Sequence, residues 1–133
     1  MLRGNAPATI DEKGRLKIPS SFRAYIDESW GSDFYVTSLS GESVLIYPLP
    51  VWQEIEERLA KLPSLNPTKK KFLDRTNFYG QVTAADKSGR ILIPGSVLEQ
   101  LVRLRHRNLF ATGQRTCLNG LRCCLLLRSM MRV

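Results

Sequence analysis

Histidine and cysteine are scarce in this chain of 133 residues: His106 stands alone, and Cys117, Cys123 and Cys124 are the only cysteines, all in the C-terminal tail. An odd number of tail cysteines does not describe a disulfide framework. His106 beside them lacks the spacing of a four-ligand zinc site, so neither a metal nor a cofactor is expected. Neither a Gly-x-Ser-x-Gly elbow nor a phosphate-loop signature occurs. With its single histidine outside any repeated motif, the chain is not expected to be an enzyme or to take a small-molecule substrate. It has no run of 18 apolar residues, which excludes a hydrophobic transmembrane helix. Met1-Leu2-Arg3-Gly4-Asn5 leads into a strand region without a charged-then-apolar leader. The expectation is a soluble cytoplasmic protein with no membrane partner.

Negative charge is missing from one end. The chain carries 20 Lys and Arg against 12 Asp and Glu, a formal charge of +8, yet residues 100 to 133 hold seven arginines and neither an acid nor a lysine. The first 99 residues are nearly neutral, at +1. Global basicity therefore says little about a nucleic-acid partner, and the positions of individual cations must carry that argument.

What the chain does have is a phrase written twice. Asp11-Glu12-Lys13-Gly14-Arg15-Leu16-Lys17-Ile18-Pro19 returns as Asp86-Lys87-Ser88-Gly89-Arg90-Ile91-Leu92-Ile93-Pro94, displaced by 75 residues. In each copy an aspartate that can bond backbone amides two residues on, followed by a glycine that accepts positive φ, predicts a tight turn between strands. Arg-x-x-Ile-Pro then reads as a short strand running into a helix, with proline suited to the first helical turn.

The doubled phrase, with a tryptophan-bearing amphipathic helix after the first copy and a linker of this length, resembles the MraZ family of bacterial regulators built from two SpoVT-AbrB-type repeats. The resemblance covers residues 1 to about 114. It implies an α+β protein in which two tandem swapped-hairpin, AbrB-like repeats interleave into one small β-barrel with flanking helices. One shared core also suits the length, since 133 residues bury one modest core rather than two. The expected divisions are repeat 1 over 5–50, a helix and linker over 51–75, repeat 2 over 76–119 and an atypical tail over 120–133.

Along the chain, residues 5 to 18 predict a first hairpin, whose outgoing strand puts Leu16 and Ile18 on one face and Arg15 and Lys17 on the other. Phe22, Tyr25 and Ile26 form the apolar stripe of a helix from Pro19 to about Trp30. Phe34 to Leu39 and Val44 to Tyr47 flank the turn-like Ser40-Gly41-Glu42-Ser43 and predict a second hairpin. After Pro48 and Pro50 a helix carries Trp52, Ile55, Leu59 and Leu62 on one side. That stripe is either a face packed on the core or a subunit contact. Pro63 to Pro67 marks a boundary, and Thr68 to Arg75 reads as a short capped helix whose Lys69, Lys70 and Lys71 make either a solvated face or a DNA contact. Phe78 to Ala85 is the expected incoming strand of repeat 2, and Val97, Leu98 and Leu101 are the expected stripe of its helix.

The candidate binding residues are Arg15 and Arg90. A guanidinium on a strand beside a glycine turn presents five donors in a fixed fork, suited to phosphate oxygens or the O6/N7 edge of guanine. Lys13, Lys17 and Lys87 add local positive charge. Asp11 and Asp86, with Gly14 and Gly89, are the turn formers, and pairing of each aspartate with its own arginine either only holds the turn or also orients the arginine for a ligand. In the families resembled, the arginine of this motif is implicated in DNA contact. The resemblance implies double-stranded DNA with promoter repeats as partner and a ring-forming homo-oligomer. It also implies nucleoid association and regulation of the chain's own promoter and neighbouring division and cell-wall genes. A protein-interaction module of antitoxin-like type is the alternative.

Beyond Gln114 the correspondence at 75 residues stops, although Cys124 to Leu127 keep the composition of an apolar strand. Acids and lysines end at Glu99 and the cysteines appear only after Gln114. The tail, from between His106 and Gln114 onward, therefore reads as the product of a reading-frame change, the alternative being a divergent but genuine extension. A changed tail would leave the Val44–Tyr47 strand and the Trp52 helix short of apolar cover. Translating the other two frames downstream of codon 104 should reveal an apolar strand followed by an acidic, tryptophan-bearing helix; if neither frame contains one, the frame change is ruled out.

Overall fold

The computed structural model describes residues 5–39, 44–95, 98–99, 109–114 and 124–129. In chain order the elements are β1 Asn5–Ala8, β2 Arg15–Lys17, α1 Ser20–Trp30, β3 Asp33–Thr37, β4 Val44–Pro48, α2 Leu49–Ala60, α3 Pro67–Tyr79, β5 Gln81–Ala84, β6 Arg90–Leu92, β7 Leu109–Gln114 and β8 Cys124–Ser129. The expected turn at Ser40 to Ser43, Val97 and Leu101 of the second helix, and His106, Cys117 and Cys123 lie outside the described residues. No described helix is long and apolar enough to cross a membrane.

Among the described residues eight strands make two antiparallel sheets. Six run in the order β1-β7-β8-β4-β3-β5, and β2 and β6 pair with each other as a separate ribbon. The order is nearly symmetric about the β4–β8 pair, with β3 facing β7 and β5 facing β1 across the sheet. The first hairpin expected over residues 5 to 18 is thus only partly formed. Beyond the turn, Ile10 bridges Leu16 and the Lys17 amide donates to the Thr9 carbonyl at 3.3 Å, but β1 proper pairs with β7. In repeat 2, β5 likewise pairs with β3 while β6 pairs with β2. Hairpin strands that each find a partner elsewhere are what a swapped arrangement requires. They do not close a barrel among the described residues, because β2 and β6 use their ladder bonds on each other and the larger sheet is left open at β1 and β5.

Layering follows from the sequence of β3 and β4. Phe34, Val36, Val44 and Ile46 point to one face with Ala8, Leu16, Ile18, Phe22, Ile26, Ile91 and Ile93; Tyr35, Leu45 and Tyr47 point to the other with Val51, Trp52, Ile55 and Leu59. A strand buried on both faces reads as an unbroken apolar run rather than an alternation, which is the pattern of Phe34-Tyr35-Val36 and Val44-Leu45-Ile46-Tyr47. The ribbon and α1 cover one face, α2 and α3 the other.

Trp52 answers one of the open alternatives. Its ring stacks on Tyr35 with centroids 4.4 Å apart and planes 12° from parallel, with Tyr47 at 5.1 Å and Phe72 at 6.1 Å. Only 3% of it is exposed, so it is core together with Ile55 and Leu59, while Leu62 at the end of the expected stripe is 43% exposed and Glu54, Glu56 and Glu57 face solvent. The helix after the linker is longer than expected. Asn66 caps it, Oδ1 accepting from the amides of Thr68 at 3.0 Å and Lys69 at 3.2 Å. It continues through Tyr79, so Phe78 and Tyr79 are helical and β5 begins only at Gln81. Tertiary bonds hold that last turn: the Thr76 carbonyl accepts from Tyr35 Oη at 2.9 Å and Thr37 Oγ1 at 2.7 Å.

Cys124 to Leu127, which keep the composition of an apolar strand, do form one, and it lies beside β4. Val44, Leu45 and Ile46 pair with Leu127, Leu126 and Leu125 of β8. Backbone pairing needs only an extended segment of strand-forming residues, and Cys124 to Leu127 supply one five residues later than the 75-residue register places it.

Trp52→Ala should lower unfolding stability by about 3–5 kcal/mol, the range for truncating a fully buried aromatic. Phe78→Ala, at a position 74% exposed, should stay within about 0.5 kcal/mol. Urea denaturation of the two variants measures both, and similar losses would contradict the layering described.

Candidate nucleic-acid interface

The two copies of the phrase meet. In the β2–β6 ribbon Arg15 lies opposite Leu92, Leu16 opposite Ile91 and Lys17 opposite Arg90. Leu16 and Ile91 are buried at 1% and 0%, which leaves the alternate positions facing outward. Each turn is built by its aspartate. Asp11 Oδ1 accepts from the amides of Lys13 and Arg15, both at 2.9 Å, and its carbonyl accepts from the Gly14 amide at 3.0 Å. Asp86 does the same for Ser88, Arg90 and Gly89 at 2.9, 2.9 and 3.0 Å.

The second carboxylate oxygen holds the guanidinium. Arg15 Nε lies 2.9 Å from Asp11 Oδ2 and Arg90 Nε lies 3.1 Å from Asp86 Oδ2. The pairs also cross between repeats: Arg15 Nη1 is 3.9 Å from Asp86 Oδ2, and Arg90 Nη1 is 3.8 Å from Asp11 Oδ2. This crossing is a feature that the separate repeats do not reveal. With side chains 30–36% exposed, such pairs are screened by solvent and contribute little stability. Their consequence is orientation. Two arginines and two aspartates sum to zero charge, so the arginines offer directed donors, while Lys13, Lys17 and Lys87, all exposed, supply the positive field. With Glu12 included, the two turns and the ribbon carry five cations against three acids. Among the described residues, Nη2 of each guanidinium is without a protein partner. This arrangement can present forked donors to a phosphate or a base edge from a rigid two-stranded element, the shape that a DNA major groove admits. The lysine run on α3 is mostly solvated, with Lys70 and Lys71 exposed and Lys69 Nζ donating to the Leu62 carbonyl at 3.1 Å.

Each turn is also completed by the other repeat. The Ile18 amide donates to the Gly89 carbonyl and the Ile93 amide to the Gly14 carbonyl, both at 3.0 Å. Gly14 and Gly89 have φ of 78° and 75°, a conformation that side chains strain, and a side chain at either would have to displace its neighbour. A β-carbon at Gly14 would stand 2.8 Å from Leu98 Cδ2, and one at Gly89 2.8 to 2.9 Å from the Nε, Cδ and Cζ atoms of Arg23. Arg23 and Leu98 are themselves 75 residues apart, so equivalent helix positions cover each other's turns. Arg23 Nη2 also donates to the Lys87 carbonyl at 2.9 Å, giving it a part in shaping the second turn that no local motif signals; the only sequence clue is its register with Leu98.

Fold and site together define a duplicated α+β protein whose two repeats jointly build one arginine-bearing ribbon. The family model described as "MraZ protein, putative antitoxin-like" matches residues 1–75. A protein named Transcriptional regulator MraZ from Acidobacterium capsulatum is 53% identical over 94 residues, which is 71% of this chain and 64% of that protein. Similarly named proteins from Koribacter versatilis and Chromobacterium violaceum are 48% and 34% identical over 100 and 99 residues, each 74% of this chain and 68% and 67% of theirs. The chain belongs to the MraZ family. It spans about two thirds of the length of the curated relatives it matches.

The backbone amide of Arg15 is the chief cause holding the Asp11 carboxyl below its ordinary value, and the amide of Arg90 does the same for Asp86; the arginine side chains add to both. A depressed folded-state pKa stabilises the fold above the unfolded value and loses that contribution as pH falls through the folded one. The wild-type protein should therefore lose turn stability below about pH 4. The double variant Asp11→Asn/Asp86→Asn, less stable at neutral pH, should show a flatter thermal-melting profile between pH 5 and pH 2. An unchanged acid limb would show that these carboxylates do not hold the turns.

Proposed function

We propose that this chain is a sequence-specific DNA-binding regulator of transcription, soluble in the cytoplasm and associated with the nucleoid, whose DNA-facing element is the β2–β6 ribbon. The observation that carries the reading is the crossed Asp11–Arg15–Asp86–Arg90 cluster. It aims two guanidiniums outward from one rigid element, beside Lys13, Lys17 and Lys87. Arginine held by a carboxylate has its orientation settled before binding, which lowers the entropy lost on contact. The relatives' name, transcriptional regulator, supports the same reading. Promoter repeats that include the chain's own promoter and the adjacent division and cell-wall genes are the proposed targets. A ring of subunits would bring several ribbons to such repeats and raise apparent affinity through effective concentration.

A protein-interaction module of antitoxin-like type is the second reading. It draws on the description of the family model and on a shallow cleft of about 540 Å³ lined by Leu39, Asp74, Arg75, Phe78 and Tyr79. The neighbouring edge strand β5 leaves Val82 57% exposed.

Titration of tiled duplexes from upstream of the gene against scrambled duplexes, at several salt concentrations, decides between them. Arg15→Ala and Arg90→Ala should each weaken binding by about 1–3 kcal/mol if the guanidinium reads a base. Each also leaves an aspartate less compensated beside the DNA. Lys13→Ala should weaken all sequences alike and reduce the salt slope by about 1. Wild-type affinity in both folded arginine variants would sink the proposal and leave the protein-interaction reading.

A further inference from the structure

Directly opposed residues of an antiparallel pair share a face. The pairing of Arg15 with Leu92 and of Lys17 with Arg90 therefore gathers those four side chains on the outward face of the ribbon. Three are cations. The fourth is an apolar side chain left 48% exposed. The 75-residue repeat puts Leu92 where the first copy has Lys17, so the ribbon is symmetric in backbone and asymmetric in chemistry. A lone exposed leucine is ordinary on a protein surface; the informative feature here is its place, across from Arg15 on a cationic face. Its neighbour Ile91 fills the core at 0% exposure, whereas Leu92 belongs to neither buried cluster.

Resting on the reading of the ribbon as the DNA-facing element, we infer that Leu92 is a specificity-determining residue that covers the 5-methyl group of a thymine. Among major-groove base edges only thymine presents a methyl group, and apolar side chains contact it. A leucine flanked by guanidiniums is placed to meet such a methyl while the charged neighbours engage phosphates or adjacent base edges. The contact makes the two ends of the ribbon unequal: the Lys17 end attracts any backbone, and the Leu92 end selects a base. A two-fold ribbon thereby acquires a direction on its site.

The test uses the full chain and the upstream duplex it binds most tightly, with each thymine replaced in turn by deoxyuridine, which removes only the methyl group. Wild-type affinity should fall about fourfold at one or a few positions, the share of one buried methyl-sized group. Leu92→Ala, at an exposed site, should keep the fold by circular dichroism and bind thymine and uracil duplexes equally. Leu92→Lys, which copies the first repeat, should also lose the discrimination while its salt slope steepens by about 0.9. The inference is overturned if no thymine position matters to the wild type, or if Leu92→Ala keeps the discrimination. It is also overturned if that variant alters only the assembly state in sedimentation, marking Leu92 as a protein contact. A wild type that prefers specific over scrambled duplexes but ignores every methyl defeats the role of Leu92 alone. One that binds all duplexes alike defeats the DNA reading and this inference with it.

Discussion

Everything on the ribbon side of the molecule depends on the reciprocal closure of the two Asp-to-Pro turns. Each aspartate fixes its own turn through two backbone amides, and each turn is then finished by the other repeat: Ile18 bonds to Gly89, Ile93 bonds to Gly14, and Arg23 and Leu98 cover the glycines. Neither repeat can complete this structure alone, because the partner of each backbone group lies some 75 residues away. The closure is entropically expensive in the unfolded chain, and the buried pair Leu16 and Ile91 beneath the ribbon helps to offset it.

That closure also governs electrostatics. Were each arginine tied only to its own aspartate, the phrase would be two independent turn locks. The crossed contacts merge them into one neutral cluster with outward donors, and the positive field is left to the lysines around it. Direction and charge are thus supplied by different residues.

The other face of the sheet follows a different logic. Trp52 and its aromatic neighbours, Tyr35 above all, fasten α2 to the sheet, and the Thr76 carbonyl fastens α3 through Tyr35 and Thr37. These bonds explain why a segment with two strand-favouring aromatics, Phe78 and Tyr79, finishes as helix. They lie across the chain from the residues whose state they decide, so local propensity could not have revealed them. The place of β8 has a similar origin: β4 needs an extended neighbour on its free edge, and Cys124–Ser129 meets that need although it is out of register with the repeat.

The sequence alone determined most of the elements, though not the end of α3, and the turn chemistry, because both rest on short-range rules. Periodicity identified α1, the outward Arg15 and inward Leu16, and the apolar face of α2; aspartate, glycine and proline at fixed spacing identified both turns and the Asp–Arg pairs within them. Partner choice belonged to the tertiary structure. That β2 would pair with β6 rather than stay with β1, that Trp52 would be core, that the sheet would remain open among the described residues, and that Leu92 would share a face with Arg15 all depend on hydrogen bonds and packing between residues far apart in the chain. Such contacts leave no period in the sequence, since a strand's free edge accepts any extended segment that reaches it, and only the folded chain decides which one arrives.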